Sequence, residues 1–229
     1  MIQLNDVCFS YGSKLILKNI THTFKSEKYH MILGPSGNGK STLLKLIAGF
    51  LTPQSGTLSK PDNYGYVLQE GGLFSHLNIS QNISIQGLNE AWSKQKMTLR
   101  IQELCDLTRF PTDLLSKFPE QISGGQKQRV ALMRSLFLNP DVLLFDESLT
   151  GIDPLLKYTL MKDLSAIINN LKKTVLHVTH DLVEASILAD EILLLKDGRV
   201  EEATNKVSFF KNPASEFSQQ YIQSQKVAL

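Results

Sequence analysis

The sequence predicts an α/β fold built on a mostly parallel sheet, and three observations carry that expectation. Short, largely apolar runs recur at Tyr29–Leu33, Val142–Phe145, Thr174–Thr179 and Ile192–Leu195, the pattern of parallel strands buried on both faces. Helically spaced segments separate these runs, so strands and helices alternate as they do in a doubly wound sheet. The length of 229 residues and the 42% hydrophobic content suit one domain or two closely joined subdomains.

Along the chain, β-like runs come first, at Ile2–Phe9 and Ile16–Phe24, ahead of Tyr29–Leu33. A helix is expected over Ser41–Ala48, closed by Gly49 and by Pro53 beyond it. Tyr64–Gln69 reads as another strand. Leu88–Phe118 turns polar with helical apolar spacing, which suggests an inserted helical region. After Pro140 the strand–helix–strand pattern returns. A last helix is expected after Asn212-Pro213, with Phe217 and Tyr221 one turn apart on its buried side.

Composition removes several function classes. Lysine and arginine total 24 against 22 acidic residues, a net charge of +2, which leaves no electrostatic footprint for nucleic acid. Cys8 and Cys105 lie far apart with no CxxC pair, arguing against a metal site or a disulfide scaffold and fitting a reducing cytoplasm. Cys105 shares a helical face with Met97, Ile101 and Leu104, so core packing is its expected role. The start, MIQLNDVCFSYG, lacks the basic and apolar regions of a signal peptide. No apolar run approaches the roughly 20 residues that span a bilayer, and a protein soluble by itself is expected.

The segment Gly34-Pro35-Ser36-Gly37-Asn38-Gly39-Lys40-Ser41 fits GxxxxGK[ST] and sits between a predicted strand and a predicted helix. Its glycines let the backbone wrap phosphate oxygens and aim N–H groups inward. The helix start adds partial positive charge, Lys40 can reach the β- and γ-phosphates, and Ser41 can bind Mg²⁺. Thr42, next in the chain, completes the candidate nucleotide-binding set. The loop alone says nucleotide phosphates and leaves kinases, GTPases, motors and transporters open.

A second glycine motif, Ile122-Ser123-Gly124-Gly125-Gln126, precedes a helix with Val130, Met133 and Phe137 on one side. Ser123 and Gln126 form an S-x-x-Q capping box. A capping box gains nothing from two glycines in the first turn, each costing up to about 1 kcal/mol relative to alanine. Bare backbone at a helix start is what close approach to an anion requires.

ISGGQ resembles the signature motif of ATP-binding-cassette (ABC) proteins, usually LSGGQ, and further family motifs follow in chain order. Tyr11, in FSYG, is similar to the aromatic residue that stacks on adenine. Gln69, in YVLQ, resembles the glutamine that contacts Mg²⁺ and the attacking water. Val142–Glu147 resembles the Walker B strand, which implies Asp146 as a Mg²⁺ ligand and Glu147 as general base. Thr150-Gly151-Ile152-Asp153 looks like the D-loop, and His180, in TVLHVTHD, is similar to the switch histidine that contacts the γ-phosphate. His177, three residues earlier, is read as a packed strand residue. Ser148 departs from the proline that commonly follows the catalytic glutamate, and Ile122 from leucine. Neither change removes a catalytic group.

The resemblance runs from about Tyr11 to Gly198. It implies a P-loop NTPase (RecA-like) core with an antiparallel β subdomain and an inserted helical subdomain, one ABC ATPase domain over 1–229. The core is expected at 1–75 and 141–229 and the helical signature subdomain at 76–140. The resemblance implies ATP and Mg²⁺, and a head-to-tail homodimer or pseudo-dimer in which one phosphate loop meets the partner's Ser123-Gly124-Gly125. It also implies transmembrane permease subunits, a solute-binding protein, and a peripheral place on the cytoplasmic face of the membrane. The stretch Glu70–Ile85 resembles an importer pattern, with Phe74, Leu77 and Ile79 as candidate lining for a permease groove. FFKNPASEF resembles the tail of importer subunits for osmoprotectants and amino acids. An exporter ATPase and a soluble ATPase of iron–sulfur cluster assembly share these motifs and stand as alternatives.

Overall fold

The computed structural model describes residues 1–68 and 72–225. Among these, the chain begins with β1 (Ile2–Tyr11), β2 (Lys14–Phe24) and β3 (Tyr29–Leu33), followed by α1 (Lys40–Ile47), β4 (Ser55–Leu58) and β5 (Tyr64–Val67). Three helices follow: α2 (Ile79–Asn89), α3 (Lys94–Thr108) and α4 (Gly124–Leu136). Then come β6 (Val142–Asp146), α5 (Pro154–Leu171), β7 (Thr174–Val178), α6 (Leu182–Leu188), β8 (Glu191–Lys196), β9 (Arg199–Asn205), α7 (Lys206–Lys211) and α8 (Glu216–Gln225). No described helix is long and apolar enough to cross a membrane.

The chain forms two compact units, one of residues 1–62 with 172–229 and the other of 63–171. In the first, β1 pairs antiparallel with β2 and β4. Separately, β3 lies parallel to both β7 and β8, while β9 runs antiparallel to β8. All five residues of β3 and of β7 are buried, which is why both read as unbroken runs in the sequence. Two parallel strands ending together place the loops that follow them at one edge. Those loops carry the glycine-rich segment after β3 and His180 after β7.

In the second unit β5 lies parallel to β6, with Val67 opposite Phe145. Of the stretch Leu88–Phe118 expected to be helical, α3 fills the middle, with α2 ending at Asn89 and α4 beginning only at Gly124, and the 63–171 unit also takes in β5, β6 and α5. Asn78 opens α2 with a capping box to Gln81, and Ser93 caps α3. Asn82, fully buried, ties the preceding loop to α2 through bonds to Phe74 N–H and to the Phe74, Leu77 and Asn78 carbonyls. Cys105 is packed with Ile101 and Leu104 as the helical spacing predicts. Ile79, expected as groove lining, is fully buried and belongs to the core, whereas Phe74 is exposed.

Candidate functional site

The 1–62 and 172–229 unit holds the phosphate loop, Tyr11 and His180. Gly37 and Gly39 have φ of 80° and 89°, a region side chains disfavour, so the loop's path depends on those two glycines. Gly39 is also the N-cap of α1 and offers no side-chain cap, leaving the start of the helix to backbone N–H donors. Lys40 is buried, its Nζ donating to the Gly34 carbonyl at 2.8 Å and the Pro35 carbonyl at 3.0 Å. The ammonium is thereby held within the loop it is expected to serve. Ser36 and Gly37 are exposed at the tip, and Ser41 and Thr42 are half-buried.

Asn38 ties the loop to the turn between β8 and β9. Its carbonyl oxygen accepts from Asp197 N–H in the β8–β9 turn at 2.5 Å, and its amide donates to the Pro35 and Ser36 carbonyls. Tyr11 lies at the end of β1, 48% exposed, with its ring edge-on to Phe9 at 4.9 Å. An exposed ring braced from one side suits stacking on a flat ligand.

His180 is exposed just after β7. The strand before it and the helix after it are joined through a buried cluster. Tyr29 Oη lies 2.8 Å from His177 Nδ1, and His177 Nε2 lies 3.5 Å from Glu184 Oε2. Burial, and then the Glu184 charge, push the Tyr29 phenol well above its usual range, so it stays protonated. His177 is a packed strand residue, as expected.

The 63–171 unit holds the glycine-led helix and the acidic pair. Ser123 Oγ accepts from Gln126 N–H at 3.3 Å and Gln126 Oε1 accepts from Ser123 N–H at 2.8 Å, completing the capping box. The two glycines inside it differ. A Cβ on Gly125 would come to 3.0 Å of the Leu156 side chain, a tight approach to the end of a flexible group. A Cβ on Gly124 would meet nothing within 4 Å. Gly124 is exposed, and no intramolecular contact requires a glycine there.

Asp146 ends β6 and is half-buried. Tyr66 donates its hydroxyl to Asp146 Oδ2 at 3.1 Å. Burial first, and then the Asp146 carboxylate, push the Tyr66 phenol far above its normal range, so it remains protonated and fixes the carboxylate's orientation. The sequence reading did not single out Tyr66. Its one signal was a second polar-tipped ring, two positions after Tyr64, in the short strand Tyr64–Val67. Glu147 follows with φ of 48°, a left-handed conformation that costs a non-glycine residue about 1–3 kcal/mol. Ser148 is buried, and its Oγ has no hydrogen-bond partner among the described residues. Gln69 lies outside the described residues.

The donors expected to hold Mg²⁺, the Ser41 hydroxyl and the Asp146 carboxylate, are hard oxygen groups suited to that ion. Among the described residues no group of three or more His, Cys, Asp or Glu could hold a metal, and Mg²⁺ bound with a nucleotide needs only one or two carboxylates beside phosphate oxygens.

Comparison with known proteins places these features in a family. Residues 17–150 match the ABC transporter family. Over 96% of its length the chain is 35% identical to the sulfate/thiosulfate import ATP-binding protein of Synechococcus elongatus, covering 67% of that protein. It is 32% identical over 99% of its length to the glycine betaine/carnitine/choline transport ATP-binding protein of Bacillus subtilis, covering 63% of it. The chain thus spans about two thirds of the length of these curated relatives. Among solved structures, a dimeric bacterial ABC transporter cassette superposes with a TM-score of 0.78 at 30% identity, covering 90% of this chain and 99% of that one. A cassette of Clostridium perfringens, part of an ABC transporter complex, reaches a TM-score of 0.83 at 29% identity, covering 92% and 90%. With more than half of its length matched by the family, and relatives above 30% identity along nearly all of it, this chain belongs to the ABC transporter family.

Proposed function

We propose that the chain is the ATP-binding and ATP-hydrolysing subunit of a membrane transporter, working as a head-to-tail dimer and importing a small polar solute of the osmoprotectant or amino-acid class. The observation that carries the composite site is Gly124. A glycine in the first turn of a helix costs up to about 1 kcal/mol relative to alanine, and the space around this one is open. Bare backbone facing open space suits an anion that arrives from outside the chain, here the phosphates of ATP held in the loop of a second copy. The relatives named for sulfate import and betaine transport support import, and the dimeric cassette structures support pairing.

In this reading the Gly34–Ser41 backbone and Lys40 neutralise the phosphates, and Tyr11 stacks on the adenine. Ser41, Asp146 and Gln69 would hold Mg²⁺, and the ion would supply positive charge to the phosphates. Tyr66 keeps Asp146 aimed. Glu147 takes a proton from the attacking water as its oxygen bonds to the γ-phosphorus and the bond to the ADP oxygen breaks. His180 contacts the γ-phosphate, and the partner's Ser123-Gly124-Gly125 completes the cradle. Because each site then needs both copies, closure depends on ATP and hydrolysis releases it, which turns chemistry into motion of permease partners at the cytoplasmic face of the membrane. A solute-binding protein delivers the cargo in such a system.

Glu147→Gln tests this directly. A general base contributes about 10²–10⁴-fold, so hydrolysis should fall by about that factor while ATP binding persists, and size-exclusion chromatography with ATP should show a dimer. Hydrolysis at the wild-type rate would remove Glu147 from the mechanism. Recovery with membrane-embedded subunits tests the transporter assignment, and recovery only with soluble cluster-assembly proteins would refute it.

A further inference from the structure

The C-terminal helix α8 reaches the main chain at His180. Tyr221, 9% exposed, donates its hydroxyl to the His180 carbonyl at 3.2 Å. One turn further on, Gln225 Nε2 donates to the same carbonyl at 2.8 Å, and Gln225 Oε1 accepts from Leu182 N–H at 3.0 Å. Both ends of one carboxamide therefore bracket Asp181, the residue that caps α6 by accepting from Val183 N–H. This is the pairing a neighbouring strand would provide, supplied instead by a side chain across 45 residues of sequence.

The anchor behind the clamp is firm. Ser215 and Ser218 bond to each other at the start of α8, with Ser218 fully buried. Lys196 lies over the Phe217 ring at 4.4 Å, and Ala214 N–H donates to Glu202 Oε2. Helix α8 is thus fixed to β8 and β9 while its last turn holds the loop bearing His180. The Tyr29–His177–Glu184 cluster lies between β7 and α6 beneath that loop, Thr179 Oγ1 accepts from Asp181 N–H at 3.1 Å, and α8 adds the bonds to the His180 carbonyl.

We propose that Tyr221 and Gln225 are positioning residues for the switch histidine, aligning His180 through its carbonyl, so that the C-terminal helix governs the rate of ATP hydrolysis. The proposal rests on the reading of His180 as the γ-phosphate contact. It assigns α8 no contact with the nucleotide. Two donors on one carbonyl and one acceptor on the next free N–H restrain rotation of the 180–182 peptides, and small errors of alignment are costly to a reaction that depends on placement.

Tyr221→Phe and Gln225→Met remove the polar groups while keeping shape. Measured as steady-state ATPase, each should lower kcat about 3- to 10-fold, with KM for ATP unchanged within about twofold, because the phosphate loop and Tyr11 bind ATP independently. Circular dichroism should report an unchanged fold. The same changes in a His180→Ala background should have no further effect on the residual rate, since residues acting through one another are not additive. Unchanged kcat in both variants, or an equal loss with and without His180, overturns the positioning role. If His180→Ala alone hydrolyses at the wild-type rate, the γ-phosphate assignment fails and the inference with it, a result distinguishable because it appears in the single variant.

Discussion

Gly124 and Gly125 are adjacent in sequence and alike on paper, yet their surroundings differ. A Cβ on Gly125 would crowd the Leu156 side chain of the same chain at 3.0 Å. Gly124 answers to nothing the chain itself provides. Gly124→Ala should therefore leave the isolated subunit as stable as before or slightly more so, by up to about 1 kcal/mol, because alanine suits a helix better. The same change should weaken ATP-dependent dimer formation at least tenfold, measured by ultracentrifugation of a Glu147→Gln subunit. If Gly124→Ala destabilises the monomer, the residue has an internal role and the composite site loses its main support. Ser148 shows a different arrangement. Its buried hydroxyl has no hydrogen-bond partner among the described residues, and it stands directly beside the left-handed backbone of Glu147.

At the scale of elements, β2 and β3 build a pH response that has nothing to do with the nucleotide. Burial is the main cause that pulls the His22 imidazole down to about 4, with the neighbouring His30 next and Glu191 opposing. His30 is lowered in the same direction by its own burial, while its Nε2 bonds the Lys25 carbonyl at 2.8 Å. Lys25 and Glu191, facing the pair, are bridged at 2.8 Å. Unfolded histidine titrates near 6.5. Between about pH 6.5 and 4 the unfolded chain therefore binds more protons than the folded one, and stability is lost as pH falls through that window. Above pH 6.5 these groups give no slope. His22→Gln should flatten the dependence of Tm on pH between 6.5 and 4, and an unchanged slope would assign the acid sensitivity elsewhere. The same elements show what a sequence can reveal. Buried on both faces, β3, β6 and β7 wrote their position in apolar runs. β4 and β9 did not, because each pairs along one edge, β4 exposing Ser55, Gly56 and Thr57 and β9 burying only Glu202. The phosphate loop was legible because its chemistry fixes residue types at fixed spacing. Tyr66 and Gln225 were not, since their partners lie 80 and 45 positions away and only the fold brings them together.

For the whole molecule, the phosphate loop and the signature helix belong to different compact units of one chain, 1–62 with 172–229 and 63–171. A head-to-tail pair would unite each loop with the signature of the other copy, and this can be tested by mixing damaged subunits. Lys40→Ala disables a loop and spares the signature. Gly124→Asp does the reverse, placing a carboxylate where phosphate is expected. Neither variant alone should occlude ATP in a Glu147→Gln background, because every site in such a homodimer has one broken half. In an equimolar mixture, random pairing makes about half of the dimers mixed, and each mixed dimer has one site built from two sound halves and one from two broken halves. About a quarter of all sites should then trap ATP, read as radiolabelled nucleotide retained after gel filtration. A site completed within a single copy predicts no gain on mixing, since every copy carries a defect of its own. Retention that rises on mixing to about a quarter is therefore the signature of shared sites, and retention that stays at the level of the separate variants would return the second glycine motif to a role inside its own chain.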